Sequence, residues 1–115
     1  MGLKKLIVYT AGTFDILNLG HINIFKKSKE MGDYLVVGVS TDKLVEKYKH
    51  VKPIMLFKER VALVQAIKYV DAVITQHKLL DIKTLKIIGP HIITIGSDWK
   101  NKTVEGLEWA KKHRS

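Results

Sequence analysis

Leu6-Ile7-Val8-Tyr9-Thr10-Ala11-Gly12-Thr13-Phe14-Asp15-Ile16-Leu17-Asn18-Leu19-Gly20-His21 is the stretch whose reading decides the fold of this 115-residue chain. It opens as a continuous apolar run, the pattern of a strand buried on both faces of a parallel sheet, and predicts a first strand over residues 5–10. It closes where helical spacing begins at Ile22 and continues through Phe25 and Met31 to a stop at Gly32. Gly12 to His21 is therefore a strand-to-helix turn. Such a turn places backbone N–H groups and a helix N-terminus around an anion.

Downstream, the same alternation repeats. Tyr34 to Val39 reads as a second strand, and Ser40-Thr41-Asp42 at its end can cap a short helix over residues 43–46. From Lys47 to Met55 the periodicity lapses. Lys47, Lys49, His50 and Lys52 crowd this stretch and Pro53 disfavours helix before it, so it reads as a basic loop. Phe57, Val61, Val64 and Ile67 restore helical spacing, and Ala72 to Thr75 reads as a third strand. Leu79, Ile82, Leu85 and Ile88 space a further helix that stops at Gly89-Pro90. Ile92 to Ile95 is a fourth strand, followed by Gly96-Ser97-Asp98-Trp99, and a last helix capped by Thr103 carries Leu107 and a core Trp109. Strands alternating with helices predict a Rossmann-like, doubly wound parallel sheet in three α/β/α layers. Ligands of such sheets bind beyond the carboxyl ends of the strands. Gly12–His21, Thr41-Asp42 and Gly96–Trp99 all fall there.

The totals narrow the class. A hydrophobic content of 46% with 27% charged residues is globular composition, sufficient for one domain with one core. No apolar run approaches the roughly 20 residues of a membrane span, and Met1-Gly2-Leu3-Lys4-Lys5 lacks the pattern of a signal peptide, so the chain reads as cytoplasmic. With no cysteine, disulfides, thiolate metal sites and cysteine nucleophiles are excluded. His50, His77, His91 and His113 show no metal-ligand spacing. The net charge of +9 favours anionic partners. The lysines are scattered, without the blocks or aromatic motifs of a nucleic-acid binder, so a solvated basic surface explains much of the charge and a phosphorylated small molecule explains the rest at least as well as DNA.

The turn is neither the dinucleotide G-x-G-x-x-G nor a P-loop. Gly12-Thr13-Phe14-Asp15 followed by Gly20-His21 resembles the G-T-F-D-x-x-H-x-G-H signature of the nucleotidylyltransferase superfamily. The wider sequence is similar to its glycerol-3-phosphate cytidylyltransferase group, through Gly32–Val37, Ser40-Thr41-Asp42, Arg60, Lys68-Tyr69-Val70-Asp71 and Gly96–Trp99. The resemblance implies transfer of CMP from CTP, with Mg²⁺ on the triphosphate, to a phosphorylated alcohol, with release of pyrophosphate from a homodimeric enzyme. It implies no covalent intermediate, so catalysis is positioning plus stabilisation of phosphate charge.

Carried onto this chain, the resemblance makes His21 a donor to phosphate oxygens and Gly12, Thr13 and Phe14 backbone donors. Asp15 and Gly20 belong to the same turn. Lys47 or Lys49, Arg60 and Lys68 supply a cationic clamp, and Gly96, Asp98 and Trp99 lie by the nucleotide. Lys68 stands where Arg is common and lacks the bidentate fork. Asp71 reads as structural. Two departures stand out. The family's first signature His is replaced by Asn18, which can donate a hydrogen bond but cannot carry a proton. On the scale of one lost oxyanion donor, that change lowers the rate about 10²–10³-fold. The family's further strand and Arg-Thr-x-Gly-Ile-Ser-Thr-type segment has no counterpart before Ser115, so the single domain over 1–115 is expected to lack it. An adenylyltransferase of the same fold and a catalytically impaired nucleotide-binding domain are the alternative readings.

Overall fold

A computed structural model describes residues 6–78 and 82–94. Among these, β1 (Ile7–Gly12), β2 (Tyr34–Ser40), β3 (Ala72–Gln76) and β4 (Ile92–Thr94) form one wholly parallel sheet in the order β3-β2-β1-β4. Between them run α1 (Leu19–Glu30), α2 (Asp42–Lys49), α3 (Phe57–Gln65) and α4 (Ile82–Ile88).

Strand alternation sorts the core into two faces. Val8, Leu35, Val37 and Val39 point one way and pack with Phe25 of α1 and Val64 of α3. Tyr9, Ala11 and Val36 point the other way and meet Leu85 of α4. Complete burial of Phe25, Leu35 or Leu85 is worth about 1.5–3 kcal/mol each. The chain thus moves from β1 outward to β3 under one helical layer, then returns across the other face to place β4 on the far side of β1. This is the three-layer, doubly wound arrangement expected from the sequence, and its topological switch point lies between β1 and β4.

One polar feature crosses the second face. The Tyr9 hydroxyl donates to Gln76 Oε1 at 2.5 Å, spanning β1 to β3 over Gly38 of β2. A Cβ on Gly38 would sit 2.1 Å from that hydroxyl, so only glycine lets the bond pass.

Several boundaries differ from the sequence expectations. β1 is displaced forward and includes Gly12, because the ladder with β2 runs on to Gly12–Val39. α1 begins at Leu19 rather than Ile22, since Asn18 supplies its N-cap. Met31, at the end of the helical spacing, is the C-cap of α1 and is 52% exposed. Lys47 and Lys49 are not in a loop: α2 extends through both and ends in His50, whose φ of 61° is left-handed. Leu79, Ile95 and the segment with Gly96, Asp98, Trp99, Thr103 and Trp109 lie outside the described residues. No helix among the described residues is long and apolar enough to cross a membrane.

Candidate active site

The turn from β1 to α1 emerges at the carboxyl end of β1, beside the switch point. Its backbone is unusual. Phe14 (φ 51°) and Ile16 (φ 48°) are both left-handed without being glycine, a conformation costing on the order of 1–3 kcal/mol per residue. Packing and hydrogen bonding hold it there. The Phe14 ring is buried 4.9 Å from that of Phe25 and edge-on to His21 at 5.7 Å. It also lies 3.0 Å from where a Cβ on Gly12 would stand, so a side chain there would press on the buried ring. Between the two strained residues, the Asp15 carboxylate accepts the N–H groups of Ile54 (2.7 Å) and Met55 (2.9 Å). Asp15 therefore braces the turn against the segment before α3.

At the start of α1, Asn18 and His21 cap reciprocally. Asn18 Oδ1 accepts the His21 backbone N–H at 3.3 Å, and the Asn18 backbone N–H donates to His21 Nδ1 at 3.2 Å. A neutral imidazole that accepts at Nδ1 carries its proton on Nε2. Burial, then the Lys49 ammonium, holds the His21 pKa below its ordinary 6.5, so the ring is neutral at physiological pH. The N–H groups of Leu19 and Gly20, at the first two helical positions, have no intrahelical acceptor. A neutral Nε2–H donor, two open backbone donors and the positive end of a twelve-residue helix thus lie together.

Arg60 sits differently from an open clamp. It is completely buried, and its guanidinium serves protein oxygens: Nε to Met55 O (3.2 Å), Nη1 to Thr13 O (2.7 Å) and Ser40 O (2.8 Å), Nη2 to the Asp42 carboxylate. It ties the turn, the end of β2, the start of α2 and the segment before α3 into one unit. Lys68 is placed away from the turn altogether. It is exposed in the bend that leads into the amino end of β3, where Asp71 N–H pairs with Leu35 O at 2.9 Å. In a parallel sheet that end is roughly 20 Å from the carboxyl edge. Lys68 Nζ lies instead over the Tyr69 ring, 5.1 Å from its centroid. Asp71 is structural as expected, accepting Leu35 N–H at 2.7 Å and pairing with Lys29.

Lys47 and Lys49 share the last turn of α2 and are exposed. Lys49 is close enough to bias the His21 titration. Tyr48 between them, unmarked in the sequence reading, reaches Thr13: the two hydroxyls are 2.6 Å apart. The signal for it was present, since Tyr48 follows the buried Leu44 and Val45 at helical spacing.

Fold and site together define the class, a doubly wound α/β domain whose β1–α1 turn brings a helix N-terminus to the switch point. The cytidylyltransferase-like family model matches residues 9–115, and the chain belongs to that family, within the nucleotidylyltransferase superfamily. It is 41% identical over 113 residues to the FAD synthase of Thermococcus sibiricus, covering 97% of this chain and 76% of that protein. It is 40% identical over 111 residues to the bifunctional protein HldE of Nitratiruptor sp., covering 96% of this chain. The chain spans only 24% of the length of that relative. The crystal structure of the lipopolysaccharide core biosynthesis protein from Thermoplasma volcanium superposes with a TM-score of 0.78 at 36% identity, over 95% of this chain and 86% of that one.

Proposed function

We propose that this domain is a nucleotidyltransferase that joins a nucleoside monophosphate from a nucleoside triphosphate to a phosphorylated alcohol. The observation that carries the reading is the start of α1, where neutral His21, bonded at Nδ1 to the Asn18 N–H, keeps its proton on Nε2 at the helix end whose Leu19 and Gly20 N–H groups have no intrahelical acceptor. An oxygen of the acceptor phosphate attacks the α-phosphorus, the bond to the bridging oxygen breaks, and pyrophosphate leaves with that electron pair. His21, the helix N-terminus and Lys49 lower the energy of the charge that builds on the phosphate oxygens. Mg²⁺ would be held by the triphosphate's own oxygens and would offset their negative charge. Among the described residues no group of three or more His, Asp or Glu side chains is arranged to hold a metal ion.

CTP with glycerol 3-phosphate is the pair favoured by the signature resemblance. The FAD synthase relative favours a second reading, adenylyl transfer from ATP to a phosphorylated alcohol. Calorimetry of the intact chain with Mg-CTP and Mg-ATP, followed by pyrophosphate release across acceptor phosphates, separates the two. Absence of binding by every nucleoside triphosphate overturns the reading. Binding without pyrophosphate release makes the chain a nucleotide-binding module, the alternative raised by Asn18. Sedimentation of the same sample tests the homodimer that the resemblance implies.

A further inference from the structure

Tyr48 belongs to none of the motifs above, yet it links the two halves of the site. Its hydroxyl lies 2.6 Å from Thr13 Oγ1, in a part-buried contact across 35 residues of chain. We propose that Tyr48 is a positioning residue of this site: through Thr13 it clasps the last turn of α2 to the β1–α1 turn and so keeps the Lys49 ammonium within electrostatic reach of His21.

The surroundings favour a clasp over an incidental contact. Thr13 is a fixed anchor, 7% exposed, with its carbonyl held by Arg60 Nη1 at 2.7 Å. Tyr48 sits on the same face of α2 as the buried Leu44 and Val45, which orient the helix toward the core. α2 has only eight residues, too few to be stable alone, and ends in a left-handed His50. Its final turn is where a helix frays first. The Tyr48 hydroxyl lies in that turn, one residue before Lys49. With the clasp made, Lys49 and His21 can address the same phosphate oxygens; with it broken, the ammonium swings on a fraying end. That consequence rests on the nucleotidyl-transfer reading, while the clasp itself does not.

The test uses the full chain without nucleotide. Phe14 and Asn18, which touch His21, do not titrate; burial is the larger cause of its lowered pKa, and the Lys49 ammonium adds to it. Tyr48→Phe and Thr13→Val each remove one side of the contact, and Thr13→Ser keeps it. In an NMR titration of the His21 ring, Tyr48→Phe and Thr13→Val are expected to move the pKa up toward 6.5, with the double variant moving it no further. Thr13→Ser is expected to leave it in place. An unmoved titration in Tyr48→Phe, or additive shifts in the double variant, overturns the clasp. If Thr13→Val fails to fold, Tyr48→Phe and Thr13→Ser still decide. Where the wild type turns over, Tyr48→Phe should raise the nucleotide KM by up to about tenfold, the range of one neutral hydrogen bond. A wild type that binds no nucleotide sinks the proposed function and leaves the titration to judge the clasp.

Discussion

Asn18 and His21 hold each other at the start of α1, each backbone N–H bonded to the other's side chain, at 3.2 and 3.3 Å. This pairing changes what the Asn at a signature His position means. The Asn18 side chain serves as N-cap through Oδ1, and its Nδ2 remains a donor at the same helix end. Its backbone N–H also selects the tautomer of His21. The substitution therefore places an amide that caps through its oxygen where the family carries a chargeable imidazole.

Capping and ligand contact separate under mutation. Asn18→Ala removes the cap and should cost about 1 kcal/mol by chemical denaturation. Asn18→Asp keeps a strong cap, so stability should hold. It also turns the Nδ2 donor into a carboxylate facing phosphate, so nucleotide affinity should fall roughly tenfold or more. An Asn18→Asp protein that binds nucleotide as tightly as the wild type would restrict Asn18 to capping.

The lowered His21 pKa sets a pH dependence with a definite sign. The unfolded chain protonates this ring near 6.5, and the folded protein does so only at lower pH. Above 6.5 both states are neutral and His21 adds no slope. As pH falls below 6.5 the unfolded state binds more protons, so stability declines until the folded ring protonates too. Lys49→Met removes one of the two causes and should narrow that window by raising the folded pKa. Urea midpoints collected from pH 8 to pH 5 on both proteins check this. Identical curves would mean that Lys49 does not act on His21.

How much of this was legible depended on whether the determining contacts were local. The alternation of Val8, Leu35, Val37 and Val39 with helical runs was readable because period and length report burial directly. The Gly12–His21 turn was readable because its residue types are unusual for a linker. Lys47 and Lys49 were misplaced in a loop because basic residues and Pro53 mask the helical spacing of Leu44, Val45 and Tyr48. Arg60 and Lys68 join the clamp through the resemblance, but their positions follow from topology. One is enclosed between the turn and α2, and the other falls at the amino edge of β3. No residue pattern announces that the Thr13 carbonyl needs a buried guanidinium.

The Asp15 brace predicts a local rather than global effect. Its carboxylate accepts two backbone N–H groups from a segment whose Ile54 and Leu56 side chains are exposed, so little else there is packed. Asp15→Ala should speed hydrogen exchange at the Ile54 and Met55 amides, while amides in β2 stay protected. The strained Phe14 and Ile16 would lose a restraint at the same time, and nucleotide affinity should weaken. Unchanged exchange at residues 54 and 55 would remove Asp15 from this role.

Arg60 gives the sharpest division between a clamp on substrate and a girder of the fold. A clamp residue can be replaced by Met at the expense of binding, with stability spared. Here the guanidinium is fully buried, so its removal strands the carbonyls of Thr13, Ser40 and Met55 and leaves the half-exposed Asp42 carboxylate without its partner. Unmet buried acceptors cost about 1–3 kcal/mol each, and part of that is recovered if water enters. Arg60→Met is therefore expected to lose about 3 kcal/mol or more in urea denaturation. Arg60→Lys should fare little better, because one ammonium cannot span acceptors on four segments. The losses should appear in protein without nucleotide and before any assay of turnover. An Arg60→Met chain as stable as the wild type but unable to bind nucleotide would return Arg60 to the phosphate clamp.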